Sequence, residues 1–370
     1  MRKRHFDLPV FAQIAPTDRL AITNLRAWRI HEPDSERRYT IIRVEARGGD
    51  VGFGEGAEIR GLTPIKEILQ GRRATSFEYV RNRLASHPSA EAAVNNALLD
   101  LMARSTKVPV YQYMGGPTRF KARVMAKIDG ANNDFANPIK RAMARGFNTF
   151  TMPVPPRESM TRLQAYVDIV RRRMDHFKEV AGRDSEIVLD GAGALLPGDA
   201  AVIARALERS HPIWFDEPCT VITSDALSKI SDESVMPLGI GRGITEPSAF
   251  QNLLRTGSVD VLCPSLALNS LHKIRRMAAI AETHYVAVAP FHDGGPLGTL
   301  FGIHLAASIP NFFIQQVPIA PSDRAAQMRA ELLGGHTETA NGGFAALINQ
   351  PGIGVQINEQ ALDKYSEEKI

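Results

Sequence analysis

The sequence contains little cysteine: Cys219 and Cys263 are the only two among 370 residues. Their spacing fits no metal-binding motif, and two cysteines do not make a disulfide framework. Long apolar segments are also missing, so no membrane span is expected. The stretch from Phe6 to Ile14 is interrupted by polar residues and a proline, which makes it a poor signal-peptide core. These absences predict a soluble, cytoplasmic protein.

The sequence also has no strong excess of charge of one sign. Its 44 Lys and Arg residues are opposed by 40 Asp and Glu residues, and both signs are mixed along the chain. The densest basic cluster, Arg171 to Arg173, lies inside a predicted amphipathic helix, where a solvated face is the usual explanation. No aromatic platform accompanies it, so we expect neither a nucleic acid nor a membrane as partner.

The sequence does contain a change of pattern near residue 122. Residues 20–60 have the composition of strands around a Gly48-Gly49-Asp50 turn, and an apolar helical face follows between Ser89 and Arg104. After residue 122, short apolar strands alternate with helical stretches, which favours a closed parallel barrel, although periodicity alone does not exclude an open sheet. The predicted strands are Ile187–Leu189, Ile213–Phe215, Val259–Cys263 and Val286–Ala289; the predicted helices are Met160–Val180, Asp199–Arg209, Ala249–Thr256 and Ser270–Thr283.

Short motifs in a fixed order carry a family resemblance. They include Gly52-Phe53-Gly54-Glu55-Gly56, Met114-Gly115-Gly116, Trp214-Phe215-Asp216-Glu217-Pro218 and Pro351-Gly352-Ile353-Gly354. With these motifs the chain resembles the mandelate racemase and muconate lactonizing enzyme group of the enolase superfamily, especially its acid-sugar (galactonate-type) dehydratases. The resemblance implies an α/β fold, a modified (β/α)7β TIM-type barrel with an N-terminal α+β capping domain. We place the capping domain at residues 1–121, the barrel at 122–325 and a C-terminal tail, which returns to the cap, at 326–370. Beyond Pro310 we expect irregular structure.

The resemblance also implies where a metal would bind. The family holds Mg²⁺ with three acidic residues at the ends of consecutive barrel strands, and the metal stabilises the enolate of a carboxylate substrate. The corresponding residues here are Asp190, Asp216 and Arg242, spaced 26 residues apart. Asp216 is shorter than the usual Glu, and Arg242 cannot ligate a cation because a guanidinium has donors only. We therefore expect no cofactor, or Mg²⁺ if Asp190, Asp216 and Glu217 still hold it.

The family's acid and base positions are altered as well. By the resemblance, Thr151 stands where the family has a lysine, Ala192 where it sometimes has an acid or base, and Phe291 where it has a histidine. His292 is the neighbouring candidate for a displaced base, with Asp293 as its support. A histidine beside Asp and Gly is also an ordinary loop residue. Both interpretations stay open at this stage.

Charge suggests a substitute for the metal. A divalent ion and a guanidinium 4 Å apart repel each other by about 8 kcal/mol at an effective dielectric of 20, so Mg²⁺ is not expected beside Arg242. Two carboxylates with one guanidinium carry the same net charge as three carboxylates with Mg²⁺. Our hypothesis is that Arg242 replaces the metal, bridges Asp190 and Asp216 and receives the substrate carboxylate. The alternative is a structural ion network without a ligand.

Three functions follow from these alternatives. The first is a divergent lyase or isomerase that acts on a small acid-sugar-like carboxylate without Mg²⁺, with Arg242 as electrophile and His292 as base. The second is a non-catalytic acid-sugar-binding protein on the same scaffold. The third is an ordinary Mg²⁺-dependent sugar acid dehydratase with displaced ligands. The family's habit of forming dimers to octamers implies a homo-oligomer in each case.

Overall fold

The computed structural model describes residues 17–129 and 134–369. The segment from Phe6 to Ile14, interpreted above as a poor signal-peptide core, lies outside the described residues. Within the described part, none of the helices combines the length and the apolar character that crossing a bilayer requires.

The N-terminal part of the described chain is an antiparallel sheet packed against helices. Strands β1, β2 and β3 form a meander, and the last strand of the chain, β13, pairs with β1. A Cβ atom at Gly54 of β3 would lie 2.0 Å from the carbonyl oxygen of Ala93, so only glycine lets the strand approach the helix α3 this closely. The elements are β1 (Ile22–His31), β2 (Arg38–Ala46), β3 (Val51–Ala57), α1 (Thr63–Leu69), α2 (Phe77–Arg83), α3 (Pro88–Ser105) and α4 (Val110–Tyr113).

The central part is the predicted barrel. Strands β4 to β11 are parallel and hydrogen-bonded in sequence order, and β11 also pairs with β4. A β-bridge between Val288 and Phe312 joins β10 to the residues just before β11. Seven helices alternate with these strands, which confirms the (β/α)7β prediction for the described residues. The strands are β4 (Lys121–Lys127), β5 (Thr149–Pro153), β6 (Glu186–Asp190), β7 (Phe215–Asp216), β8 (Leu238–Ile240), β9 (Val261–Leu262), β10 (Ala287–Val288) and β11 (Gln315–Pro318). The helices are α5 (Ala136–Ala144), α6 (Leu163–Ala181), α7 (Pro197–Leu207), α8 (Ser224–Ser231), α9 (Pro247–Leu254), α10 (Leu271–Glu282) and α11 (Pro296–Ala306).

The barrel has two apolar faces. Its outer face packs on the helices, whereas a separate buried cluster fills the interior. Because side chains alternate along a strand, residues two positions beyond the interior cluster also point inward, at the carboxyl ends of the strands. The interior cluster consists of Met125, Val188, Trp214, Val261, Cys263, Ala289 and Ile314.

The C-terminal tail differs from the expectation of irregular structure beyond Pro310. It contains two helices and two strands in addition to β11, and the first helix begins with a side-chain cap, in which Ser322 accepts a hydrogen bond from the backbone N–H of Ala325. The glycine-rich composition concealed this regularity, since the glycines connect the elements. The boundaries at residues 121 and 325 remain predictions. The elements are α12 (Asp323–Leu332), β12 (Phe344–Ala346), which pairs with β4, α13 (Glu359–Tyr365) and β13 (Ser366–Lys369).

Candidate functional site

Asp190 and Asp216 lie side by side at the mouth of the barrel. They are the last residues of neighbouring strands β6 and β7, and the parallel register pairs them directly. Each follows an interior residue by two positions, Val188 in one strand and Trp214 before the other. Both carboxylates therefore point into the barrel, at the end where such folds bind their ligands.

The guanidinium of Arg242 lies between these two carboxylates. Its Nη2 atom is 2.9 Å from Oδ1 of Asp190, and its Nε atom donates to Oδ2 of Asp216 over 3.1 Å. Nη2 also contacts the same Asp216 oxygen. The bridge that the charge argument led us to expect is thus present in the structure, although both contacts to Asp216 fall on one oxygen. Nη1 of Arg242 forms no hydrogen bond with the described residues.

Two further residues fix the position of Arg242. One carboxylate oxygen of Glu217 accepts hydrogen bonds from the backbone N–H groups of Gly241, over 2.6 Å, and of Arg242, over 2.7 Å. The ring of Phe291 lies under the guanidinium, with its centroid 4.2 Å from the Cζ atom, a distance typical of a cation–π contact. Glu217 is therefore engaged in holding the chain after β8, and Phe291 supports the face of the guanidinium.

These residues do not fit Mg²⁺. Within residues 17–129 and 134–369, the structure brings together no group of three or more His, Cys, Asp or Glu side chains suited to holding a metal ion. Nη2 of Arg242 occupies the space between Asp190 and Asp216, so a divalent cation between them would meet a positive charge. The proposed metal ligands, including Glu217, therefore lack an arrangement that would accept the ion.

Burial and charge act in opposite directions at this site. Burial lowers the pKa of Arg242, but the charges of Asp216 and Asp190 outweigh burial and raise it above its ordinary value. Burial raises the pKa of Asp216, the charge of Asp190 adds to this effect, and Arg242 opposes it. The guanidinium is consequently a permanent cation, and 15% of its side chain is exposed to the barrel mouth.

His292 does not join Arg242 and the two carboxylates. It is buried next to the capping sheet, where its Nε2 atom is 2.7 Å from the carbonyl oxygen of Gly295 and 3.8 Å from Oε1 of Glu55. Burial lowers its pKa to about 4, so the ring is neutral near pH 7. Asp293 is not the support that we expected, because its carboxylate binds Lys127 and Arg37. The catalytic role of His292 remains a prediction without geometric support.

A second polar group, which is not among the predicted site residues, lies at the barrel mouth. Nζ of Lys127, at the end of β4, lies 2.7 Å from Asp293 and 2.8 Å from Asp129. Arg37, from the β1–β2 loop of the cap, donates to the same two carboxylates and to the carbonyl oxygen of Ile319. Lys127 follows the interior residue Met125 by two positions, and this alternation was the available signal.

Comparisons with known proteins agree with the fold. Residues 134–361, more than half of the chain, match the model of the family described as Enolase C-terminal domain-like. A D-galactonate dehydratase of Verminephrobacter eiseniae is 26% identical, with 94% of this chain and 95% of the relative covered. A D-galactonate dehydratase of Pectobacterium atrosepticum is 24% identical over 94% of this chain and 95% of its own.

Solved structures of similar proteins show the same fold. A mandelate racemase/muconate lactonizing enzyme-like protein from Rubrobacter xylanophilus has a TM-score of 0.82 at 22% identity, with 95% of this chain and 98% of that chain covered. An enolase from Agrobacterium radiobacter, with Na and L-malate bound, has a TM-score of 0.82 at 24% identity, with 93% and 95% covered. The chain therefore belongs to the enolase superfamily, in the mandelate racemase and muconate lactonizing enzyme group that includes the acid-sugar dehydratases.

Proposed function

We propose that this protein binds the carboxylate of an acid sugar at Arg242, without Mg²⁺, and acts on it as a lyase of the dehydratase type. The observation that carries the proposal is the position of the guanidinium between Asp190 and Asp216, where the family has its metal. The substrate class comes from the relatives, which are D-galactonate dehydratases. An isomerase acting on the same class of acid remains within the proposal, since both reactions begin at the carbon beside the carboxylate.

The chemistry of the guanidinium supports this role. Asp190 and Asp216 occupy one edge of the Arg242 side chain, whereas Nη1 has two N–H groups free of described partners. A carboxylate that accepts these N–H groups forms charge-assisted hydrogen bonds, and negative charge that develops on its oxygens in the reaction strengthens them. Glu217 and Phe291 hold the group in place, so little side-chain entropy is lost on binding.

The test is a turnover assay in EDTA with a panel of sugar acids. Dehydration of an α,β-dihydroxy acid gives a 2-keto-3-deoxy acid, which is detected as its semicarbazone. We expect product from the wild type in EDTA and a loss of at least 100-fold in Arg242→Ala, as found when a buried electrostatic donor is removed from an active site. Arg172→Ala, at an exposed position of α6, is the matched control and should retain full activity. Activity that requires added Mg²⁺ would contradict the proposal.

A second candidate function is acid-sugar binding without turnover. It is favoured by the side chains at the family's base positions, because Thr151 accepts a hydrogen bond from the backbone of Ile128 and Phe291 has no titratable group. An increase in melting temperature with a sugar acid in EDTA, with no product after long incubation, would support this candidate over the lyase.

A further inference from the structure

Lys127 lies next to the position of the lysine that the family carries and this chain lacks. The register of β4 and β5 pairs Ala126 with Phe150, so Lys127 and Thr151 are neighbours on adjacent strands. Ala126 and Phe150 belong to the outer core, and the next residue of each strand therefore points inward. The amine of Lys127 therefore lies in the barrel mouth, one strand away from the position at which the family has its lysine.

Lys127 and Arg242 face each other across the barrel. The order of the eight barrel strands is β4, β5, β6, β7, β8, β9, β10 and β11, and β11 pairs with β4. Lys127 ends β4 and Arg242 follows β8, four positions away in this ring of eight. A ligand that is bound at Arg242 by one end and extends across the mouth is therefore directed toward the group around Lys127.

The charges around Lys127 leave no excess positive charge for a second carboxylate. Lys127 and Arg37 are matched by Asp129 and Asp293, and Arg37 also contacts Glu32. The group nevertheless offers both kinds of hydrogen-bonding partner. Two N–H groups of the Lys127 ammonium are used by the two aspartates, which leaves one, and each aspartate oxygen has a lone pair to spare. Neutral ligand groups that both donate and accept fit this arrangement, and hydroxyl groups do so.

We propose that Lys127, Asp129 and Asp293 bind the hydroxyl groups of the tail of a sugar monoacid whose carboxylate lies at Arg242. This assignment rests on the proposed function, which it deepens by naming the substrate class as monoacids with a polyhydroxy chain. Sugar diacids are disfavoured, because their second carboxylate would face Asp129 and Asp293. Arg37 ties the cap loop to the same two carboxylates and positions them.

The test uses the full chain in EDTA and isothermal titration calorimetry with three acids. D-Galactonate has a carboxylate and a polyhydroxy tail, galactarate has a second carboxylate at the far end, and glycerate lacks most of the tail. We expect the wild type to bind galactonate at least 10-fold more tightly than glycerate or galactarate, since a hydrogen bond to a charged group is worth about one to two factors of ten in affinity. Lys127→Met should weaken galactonate binding 10-fold or more and leave glycerate binding unchanged.

Control variants separate the role of the ammonium from structural effects. Lys121→Met alters a lysine of the same strand whose amine lies over the ring of Phe344, and it should bind all three acids as the wild type does. Lys127→Arg keeps the charge and should recover part of the affinity for galactonate. Unchanged glycerate binding by Lys127→Met shows that its site is folded.

Different results of the binding measurements would overturn the role of Lys127 and the proposed function. Equal affinity of the wild type for glycerate and galactonate, or full galactonate affinity in Lys127→Met, would overturn the role of Lys127 alone. Tighter binding of galactarate than of galactonate would replace the hydroxyl-binding role by recognition of a second carboxylate. Absence of binding for all three acids, or binding unaffected by Arg242→Met, would overturn the proposed function itself.

Discussion

If Arg242 stands in for the family's metal ion, as we propose, then restoring the acidic side chains should restore metal binding. The double substitution Asp216→Glu and Arg242→Glu restores three carboxylates at the ends of consecutive strands, with Asp190 as the third. The net charge of the three side chains changes from −1 to −3, and a bound Mg²⁺ returns it to −1. We predict that the double variant binds Mg²⁺ and that the wild type does not.

The magnitude follows from electrostatics and from linkage. In the wild type, repulsion between Arg242 and Mg²⁺ of about 8 kcal/mol at 4 Å corresponds to a loss of more than 10⁵-fold in affinity. In the double variant, Mg²⁺ at 100 times its dissociation constant stabilises the folded state by about 2.7 kcal/mol. For a chain of 370 residues, an unfolding entropy of about 2.1 cal/mol/K per residue converts this gain into a rise of about 3.5 °C in melting temperature.

Differential scanning calorimetry with 5 mM MgCl₂ and with EDTA measures this rise. The double variant should melt below the wild type in EDTA, because three neighbouring carboxylates repel one another, and it should recover when Mg²⁺ is added. Arg172→Glu, the same charge reversal at an exposed position, should respond as the wild type does. A Mg²⁺-dependent rise in the wild type, or none in the double variant, would refute the idea that Arg242 keeps the metal out.

Two other predictions concern the contacts that join the capping sheet to the barrel. Burial raises the pKa of Glu55 to about 7 from 4.5, so the contribution of this group to stability is present below pH 4.5 and is lost as the pH rises through 7. Between pH 4.5 and 8, the wild type should therefore lose about 3 kcal/mol of unfolding free energy relative to Glu55→Gln. Urea titrations at a series of pH values measure this loss. Arg329 is 2% exposed and bridges Glu32 and Glu338, so Arg329→Met should cost about 3–5 kcal/mol, because it removes the cation paired with the buried Glu338 and leaves Glu32 with Arg37 alone. The exposed pair of Lys364 is the control, and Lys364→Met should leave the midpoint unchanged. A difference in unfolding free energy between the wild type and Glu55→Gln that does not change with pH would contradict the first prediction. Equal unfolding midpoints for Arg329→Met and Lys364→Met would contradict the second.

Much of the fold was predictable because the barrel repeats one local pattern. Short apolar strands such as Ile187–Leu189 and amphipathic helices such as Met160–Val180 recur at intervals that only a parallel sheet accommodates, and the structure has β6 and α6 at these places. The predicted helices did not include α5, α8, α11, α12 and α13, and of these α8 (Ser224–Ser231) and the tail helix α12 show the reason most clearly. Both are short, and α12 follows a proline-rich segment and precedes glycines, so the local composition indicated loops.

The site was predictable where a residue stands at a strand end in a fixed spacing. Asp190, Asp216 and Arg242 are separated by one β/α unit each, and the structure brings them into contact. The position of His292 was not predictable, because a shift of one residue along a strand turns the side chain to the opposite face. Phe291 points to Arg242, and His292 consequently points away from it, toward Gly295 and Glu55. Contacts made by the cap, such as those of Arg37, depend on how two distant parts of the chain pack together. The sequence around Arg37 therefore contains no pattern that would predict them.

Three residues that depart from the family pattern implied by the resemblance lie in one connected group. The shorter Asp216 leaves room beside Asp190, the guanidinium of Arg242 fills it, and Phe291, in place of a polar histidine, offers the ring face on which the guanidinium rests. Three changes on strand ends far apart in sequence form one charge-balanced and packed unit. A permanent cation thus lies between two carboxylates at the barrel mouth, which is the arrangement that our proposal of an anion-binding site requires.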